Sequence, residues 1–131
     1  CKELKHFNNI KIVGSKSNVR DFLFASDFFI QPSLHENHSI ALLEAMAARL
    51  PTIATNVGGN AEIITDEKTG LLIPKSNDEA LYRAIDKFLY DKTYLKYKKN
   101  FETANFVRFS NNEVDIMLDT VYKNIIYKYW L

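Results

Sequence analysis

The sequence predicts an α/β fold in which a parallel sheet carries helices on both faces, and two observations support this. Short apolar runs that stop at glycine or proline recur between residues 10 and 74, and stretches of helical period fill the gaps between them. Strand and helix alternating at this spacing argue for βαβ units.

Four runs read as short buried strands: "IKIVGS" closing at Gly14, "DFFIQPS" at Pro32, "PTIATNVGG" at its glycine pair and "GLLIP" at Pro74. Helices are expected over 19–26, 39–48, a short turn at 61–65, and 78–90. The last has Ser76 and Glu79 at the spacing of a capping box, with Leu81, Ala84, Ile85, Phe88 and Leu89 on one face. Beyond Asp91 two segments read as wholly helical, 92–110 and 111–131. In the second, Val114, Met117, Leu118, Val121, Ile125 and Ile126 form an apolar stripe. That stripe packs on its own domain or a neighbour, or else meets a membrane surface, given Lys123, Tyr127, Lys128, Tyr129 and Trp130 around it.

The chain has 131 residues, 47% hydrophobic and 25% charged, which is enough for one globular core and excludes a disordered reading. Seventeen Lys and Arg against sixteen Asp and Glu leave no global field to recruit nucleic acid or anionic lipid. The single cysteine, Cys1, points to a reducing compartment, and no apolar run reaches the roughly 20 residues of a membrane span, so a soluble cytoplasmic protein is expected. A start at Cys1 that leads directly into ordered-looking sequence reads as a portion of a longer polypeptide.

In a parallel α/β sheet, ligands gather at the carboxyl ends of strands, where each following helix offers unpaired N–H groups and the positive end of its dipole. Three loops qualify here: "PSLHENHS", "NVGGN" and "PKSND". Such helix starts suit phosphate. Glu44 stands among Leu42, Leu43, Ala45 and Met46, where a carboxylate is costly without a partner. In the second turn after Ser39, its side chain leans back toward the helix start, and a ribose diol would offer it two charge-assisted hydrogen bonds. Glu36 precedes the helix, where it either accepts from a polyol or stabilises the dipole by roughly 0.3–1 kcal/mol.

The stretch "FASDFFIQPSLHENHSIALLEAMAARLPTIATNVGGNAEIITDEKTGLLIP" resembles the carboxyl-terminal, donor-binding domain of retaining glycosyltransferases of the GT-B fold, in their large family four. A glutamate, seven residues, a second glutamate with "EAM", a proline-led strand, a "GG" loop and a "GLL" strand stand in that family's order, and "NNIKIVGSKSNVRDFL" matches the strand and helix upstream. The resemblance implies an incomplete, Rossmann-like half of a GT-B fold, with residues 1–90 as core and 91–131 as terminal helices, and an acceptor domain outside the chain. It implies that Glu44 binds the ribose of a nucleotide diphosphate sugar, that Glu36 contacts hydroxyls of the transferred sugar, and that the backbone of His38, Ser39 and Ile40 cradles the diphosphate. Asn37, His38 and Ser39 stand where the family usually has a glycine-aromatic-glycine start; Asn37 tolerates left-handed backbone and could keep the turn. Arg49 replaces a frequent glycine. The family's diphosphate-neutralising Arg and Lys lie upstream of this stretch, so residues 1–131 alone are expected to show no turnover.

The nucleotide sugar is substrate, and no cofactor is expected. The acceptor implied is a polysaccharide or lipid-linked glycan, with peripheral contact at the inner membrane face and no nucleic acid. His35 and His38 have a metal pair's spacing but no third ligand nearby, and no Asp-x-Asp pattern occurs, in keeping with a metal-independent transferase. Ser33 and Ser39 lack a His-Asp partner pattern. Gly58 and Gly59 are either a plain turn or a place of close ligand approach, and Glu62 follows them. Two rivals stay open: a nucleotide-sugar epimerase of related fold, and a scaffold domain without catalysis.

Overall fold

The structure, a computed structural model, describes residues 8–37 and 39–103. Among them, β1 (Phe29–Gln31), β2 (Thr52–Thr55) and β3 (Gly70–Ile73) form a parallel sheet in the order β1-β2-β3. Ile30 lies opposite Ile53, and Ile53 opposite Leu71. Around the sheet stand α1 (Val19–Phe24), α2 (Ile40–Ala47), α3 (Asn60–Ile63), α4 (Asp78–Leu89) and α5 (Thr93–Thr103). Helix α2 joins β1 to β2 and α3 joins β2 to β3, the βαβ connections that the alternation predicts.

Strand side chains alternate between faces, and this splits the core in two. Ile53, Leu71 and Ile73 pack with Phe28, Ile30, Ala84, Phe88 and Tyr97 on the side of α4 and α5. Ala54 and Leu72 pack with Phe29, Leu42, Met46 and Ile64 on the side of α2 and α3. All four residues of β2 are buried because it is the central strand, covered on both faces. Phe88 is fully buried and meets Phe28 edge to face, with ring centroids 5.2 Å apart.

Three expectations need correction. The run "IKIVGS" is not a strand: no strand lies beside it among the described residues, and Ile10, Ile12 and Val13 are 40%, 51% and 47% exposed. Apolar character alone does not make a strand, which needs a neighbour to take its backbone hydrogen bonds. The cap of α4 is Asn77, not Ser76: Asn77 Oδ1 accepts from Ala80 N at 2.9 Å, while Ser76 has a left-handed φ of 53°. Glu79 then turns outward to Arg83 Nε, 2.7 Å away in a solvent-exposed pair. Leu89, assigned to the apolar face, is 54% exposed at the end of that helix. The stripe over 114–126 lies outside the described residues. No helix among the described residues is long and apolar enough to cross a membrane.

Candidate functional site

β1 ends in Gln31, whose side chain falls on the same face as Phe29, toward α2. There it is buried and meets the N-cap of that helix. Ser39 has the extended backbone of an N-cap, and its Oγ accepts from Leu42 N at 3.2 Å, satisfying one of the open N–H groups of the first turn. Gln31 Nε2 lies 2.7 Å from Ser39 Oγ, and the Ser39 hydroxyl lies 3.0 Å from Gln31 Oε1.

The loop between them carries Glu36. Its Oε1 accepts from Gln31 Nε2 and from Ser33 Oγ, each at 2.7 Å. Ser33 is tied in turn to the next strand, because its carbonyl accepts from Thr55 Oγ1 at 2.6 Å. Among the described residues no donor reaches Glu36 Oε2.

The loop after β2 closes on this one. Gly59 N donates to Asn37 O at 3.0 Å. Gly58, with φ of 51°, lies so close to the Glu36 carbonyl that a side chain there would overlap it. These two loops therefore form one rim. Asn56 N, at the start of the loop after β2, donates to Ile73 O at the end of β3 at 2.8 Å, which carries the β2–β3 ladder up to the rim.

Glu44 stands one turn inside α2, half-buried. Burial pushes its carboxyl pKa above the ordinary glutamate value, and among the described residues no donor or cation offsets that cost. The two glutamates thus differ in kind: Glu36 is held through one oxygen by two neighbours, whereas Glu44 is desolvated and has no partner among the described residues. Helix α2 ends at a left-handed Arg49, φ 58°, where Arg49 N donates to Met46 O and Leu50 N to Ala45 O at 3.0 and 2.9 Å. That is a Schellman closure made with arginine where glycine is favoured.

The family model for glycosyl transferases group 1 matches residues 1–106. The chain belongs to that family. It is 36% identical over 90 residues to the lipopolysaccharide core biosynthesis mannosyltransferase LpsB of Rhizobium meliloti (strain 1021), covering 67% of this chain and 26% of that protein. It is 30% identical over 115 residues to the UDP-Gal:alpha-D-GlcNAc-diphosphoundecaprenol alpha-1,3-galactosyltransferase of Escherichia coli, 84% of this chain and 30% of that one. Among solved structures, sucrose-phosphate synthase from Thermosynechococcus elongatus superposes with a TM-score of 0.72 at 25% identity, over 97% of this chain and 33% of that one. This group 1 chain therefore spans about a third or less of these relatives, and its sheet and helices are part of a GT-B fold.

Of the residues expected at the site, Glu36, Asn37, Ser39, Ile40, Gly58 and Gly59 come together at the meeting of the two loops and the start of α2, with Glu44 one turn further along. His38 lies outside the described residues. Asn37 is not among the left-handed positions, so the turn is not kept that way; among the described residues of this rim, Gly58 is left-handed. Glu62 is exposed on α3. Sequence reasoning missed Gln31. Its signal was a polar residue closing the apolar run "FFI" just before a proline, where burial has to be matched by hydrogen bonds.

Proposed function

We propose that this chain is the donor-binding part of a retaining glycosyltransferase that moves a sugar from a nucleotide diphosphate sugar to an acceptor, either a polysaccharide or a lipid-linked glycan. One observation carries the reading: Glu44, a half-buried carboxylate with no partner among the described residues, stands one turn inside a capped helix start in a group 1 chain. A ribose diol supplies the two hydrogen bonds that would offset its desolvation. Glu36 holds hydroxyls of the transferred sugar through its second oxygen. Backbone N–H groups over residues 37–40 take the diphosphate, and Gly58 and Gly59 line its approach, with Gly58 packed against the Glu36 carbonyl.

In such a reaction the anomeric bond to the diphosphate breaks and the acceptor oxygen attacks from the same face. The departing diphosphate collects negative charge, which the amides at the start of α2 stabilise together with basic groups. The glutamates grip hydroxyls and do not shuttle protons as in a two-carboxylate hydrolase. The acceptor reading draws on relatives named for lipopolysaccharide core and diphosphoundecaprenol chemistry, and the same names support a cytoplasmic protein working at the membrane's inner face.

Calorimetry of the intact protein with UDP, GDP, ADP and their hexose derivatives tests the reading. Binding of one nucleotide and its sugar derivative is expected, with affinity falling by about tenfold or more in Glu44→Ala. If no nucleotide binds, and Glu44→Ala matches wild type, the scaffold reading replaces this one. An epimerase would change the sugar with no acceptor present.

A further inference from the structure

We propose that Gln31 is a positioning residue that fixes the carboxylate of Glu36 for the donor sugar and locks it to the start of α2. The inference rests on the donor-binding reading above. A glutamine amide has two hydrogens on nitrogen and acceptor capacity on oxygen. Here the nitrogen stands 2.7 Å from both Glu36 Oε1 and Ser39 Oγ, so both hydrogens have takers, and the Ser39 hydroxyl returns a bond to Gln31 Oε1 at 3.0 Å. Turning the amide over would set its oxygen against the carboxylate, so Glu36 itself selects the orientation. Gln31 is buried at the end of β1, within the hydrogen-bonded ladder of the sheet, whereas Ser33 stands on the loop. The result is a chain from strand end to sugar-facing glutamate to helix cap, with Glu36 Oε2 left over for a hydroxyl.

A residue that merely fills the core would alter stability and leave ligand preference alone. A positioning residue for Glu36 must weaken the sugar's share of binding more than the nucleotide's. In the intact protein, Gln31→Leu is expected to lower affinity for the nucleotide sugar about tenfold and for the matching free nucleotide less than about threefold. Gln31→Glu keeps the size and the oxygen facing Ser39 but sets a second carboxylate against Glu36. At low pH the pair holds a shared proton that restores the bond. Sugar-nucleotide affinity of Gln31→Glu, taken relative to wild type at each pH, should therefore recover as pH falls from 8 toward 5. Ser33→Ala, which removes the second donor to Glu36 Oε1, should lower the same affinity by a smaller factor, and it stands in if the Gln31 variants do not fold.

The probes are UDP, GDP and ADP and their glucose, galactose and mannose derivatives. If wild type binds none of them, the donor reading fails and takes this inference with it. If wild type binds one, and Gln31→Leu lowers sugar-nucleotide and nucleotide affinity by the same factor, Gln31 is a structural residue only and the inference alone is overturned; the same equal loss in Ser33→Ala overturns it by showing that anchoring Glu36 Oε1 does not serve the sugar. A flat pH profile for Gln31→Glu overturns it too.

Discussion

Gly58 rests against the main-chain carbonyl of Glu36, with no space between them for a methyl group. Its φ of 51° adds a second reason for glycine, since left-handed backbone costs other residues about 1–2 kcal/mol. Gly58→Ala should therefore destabilise by at least about 2 kcal/mol in urea unfolding, combining strain with the displaced Glu36 loop. A loss below about 0.5 kcal/mol would mean that the two loops are not in contact.

Glu44 links stability to pH in a defined direction. Its folded-state pKa is raised by burial, so the neutral form is favoured on folding. Whatever stability the protonated carboxyl contributes is fully present below the unfolded value near 4.5 and is lost as pH rises through the folded value. Glu44→Gln, which stays neutral, should melt higher than wild type at pH 7 in the ligand-free protein, with the gap closing as pH falls through the raised folded value toward 4.5 and gone below it. The same variant should bind nucleotide more weakly, since a ribose diol needs the carboxylate. Equal melting at both pH values would remove the desolvation account of this residue.

Arg49 takes a left-handed backbone at the end of α2. Arg49→Gly relieves that strain while keeping the closing bonds from Arg49 N and Leu50 N, and should stabilise by about 0.5–1 kcal/mol. Chemical denaturation of the two proteins side by side measures it, and a destabilisation would show that the arginine side chain makes up for the backbone.

The start of α4 separates two neighbouring candidates. Asn77→Ala removes the oxygen that accepts Ala80 N and should cost about 1 kcal/mol, whereas Ser76→Ala should stay within about 0.5 kcal/mol. Thermal melts that reverse this order would return the cap to Ser76.

Phe88 fastens α4 to the sheet and to α5, touching Phe28 and Tyr97 with ring centroids 5.2 and 5.8 Å away. Phe88→Ala should cost about 3–5 kcal/mol, seen as an early unfolding midpoint in urea.

The sequence by itself determined the α/β class, the parallel connections, the helix that starts after Ser39 and the nearness of Glu36 to that start. Those features follow from short-range rules: apolar period, punctuation by glycine and proline, and a hydroxyl one residue ahead of a helix. For Arg49 the sequence showed an arginine where the resembling family often has glycine, and the folded chain supplied the left-handed backbone. Whether "IKIVGS" forms a strand was decided by the absence of a neighbouring strand among the described residues, which no local pattern reports. The choice of Asn77 over Ser76 came from the path of the chain leaving β3, because both side chains can cap. Tertiary structure alone joined Gln31 to Glu36 and Ser39, Thr55 to Ser33, and Gly58 to Glu36. The contacts that hold the rim cross between strand ends and loops up to 22 residues apart, and their partners are set by the sheet's order and register, which only the folded chain establishes.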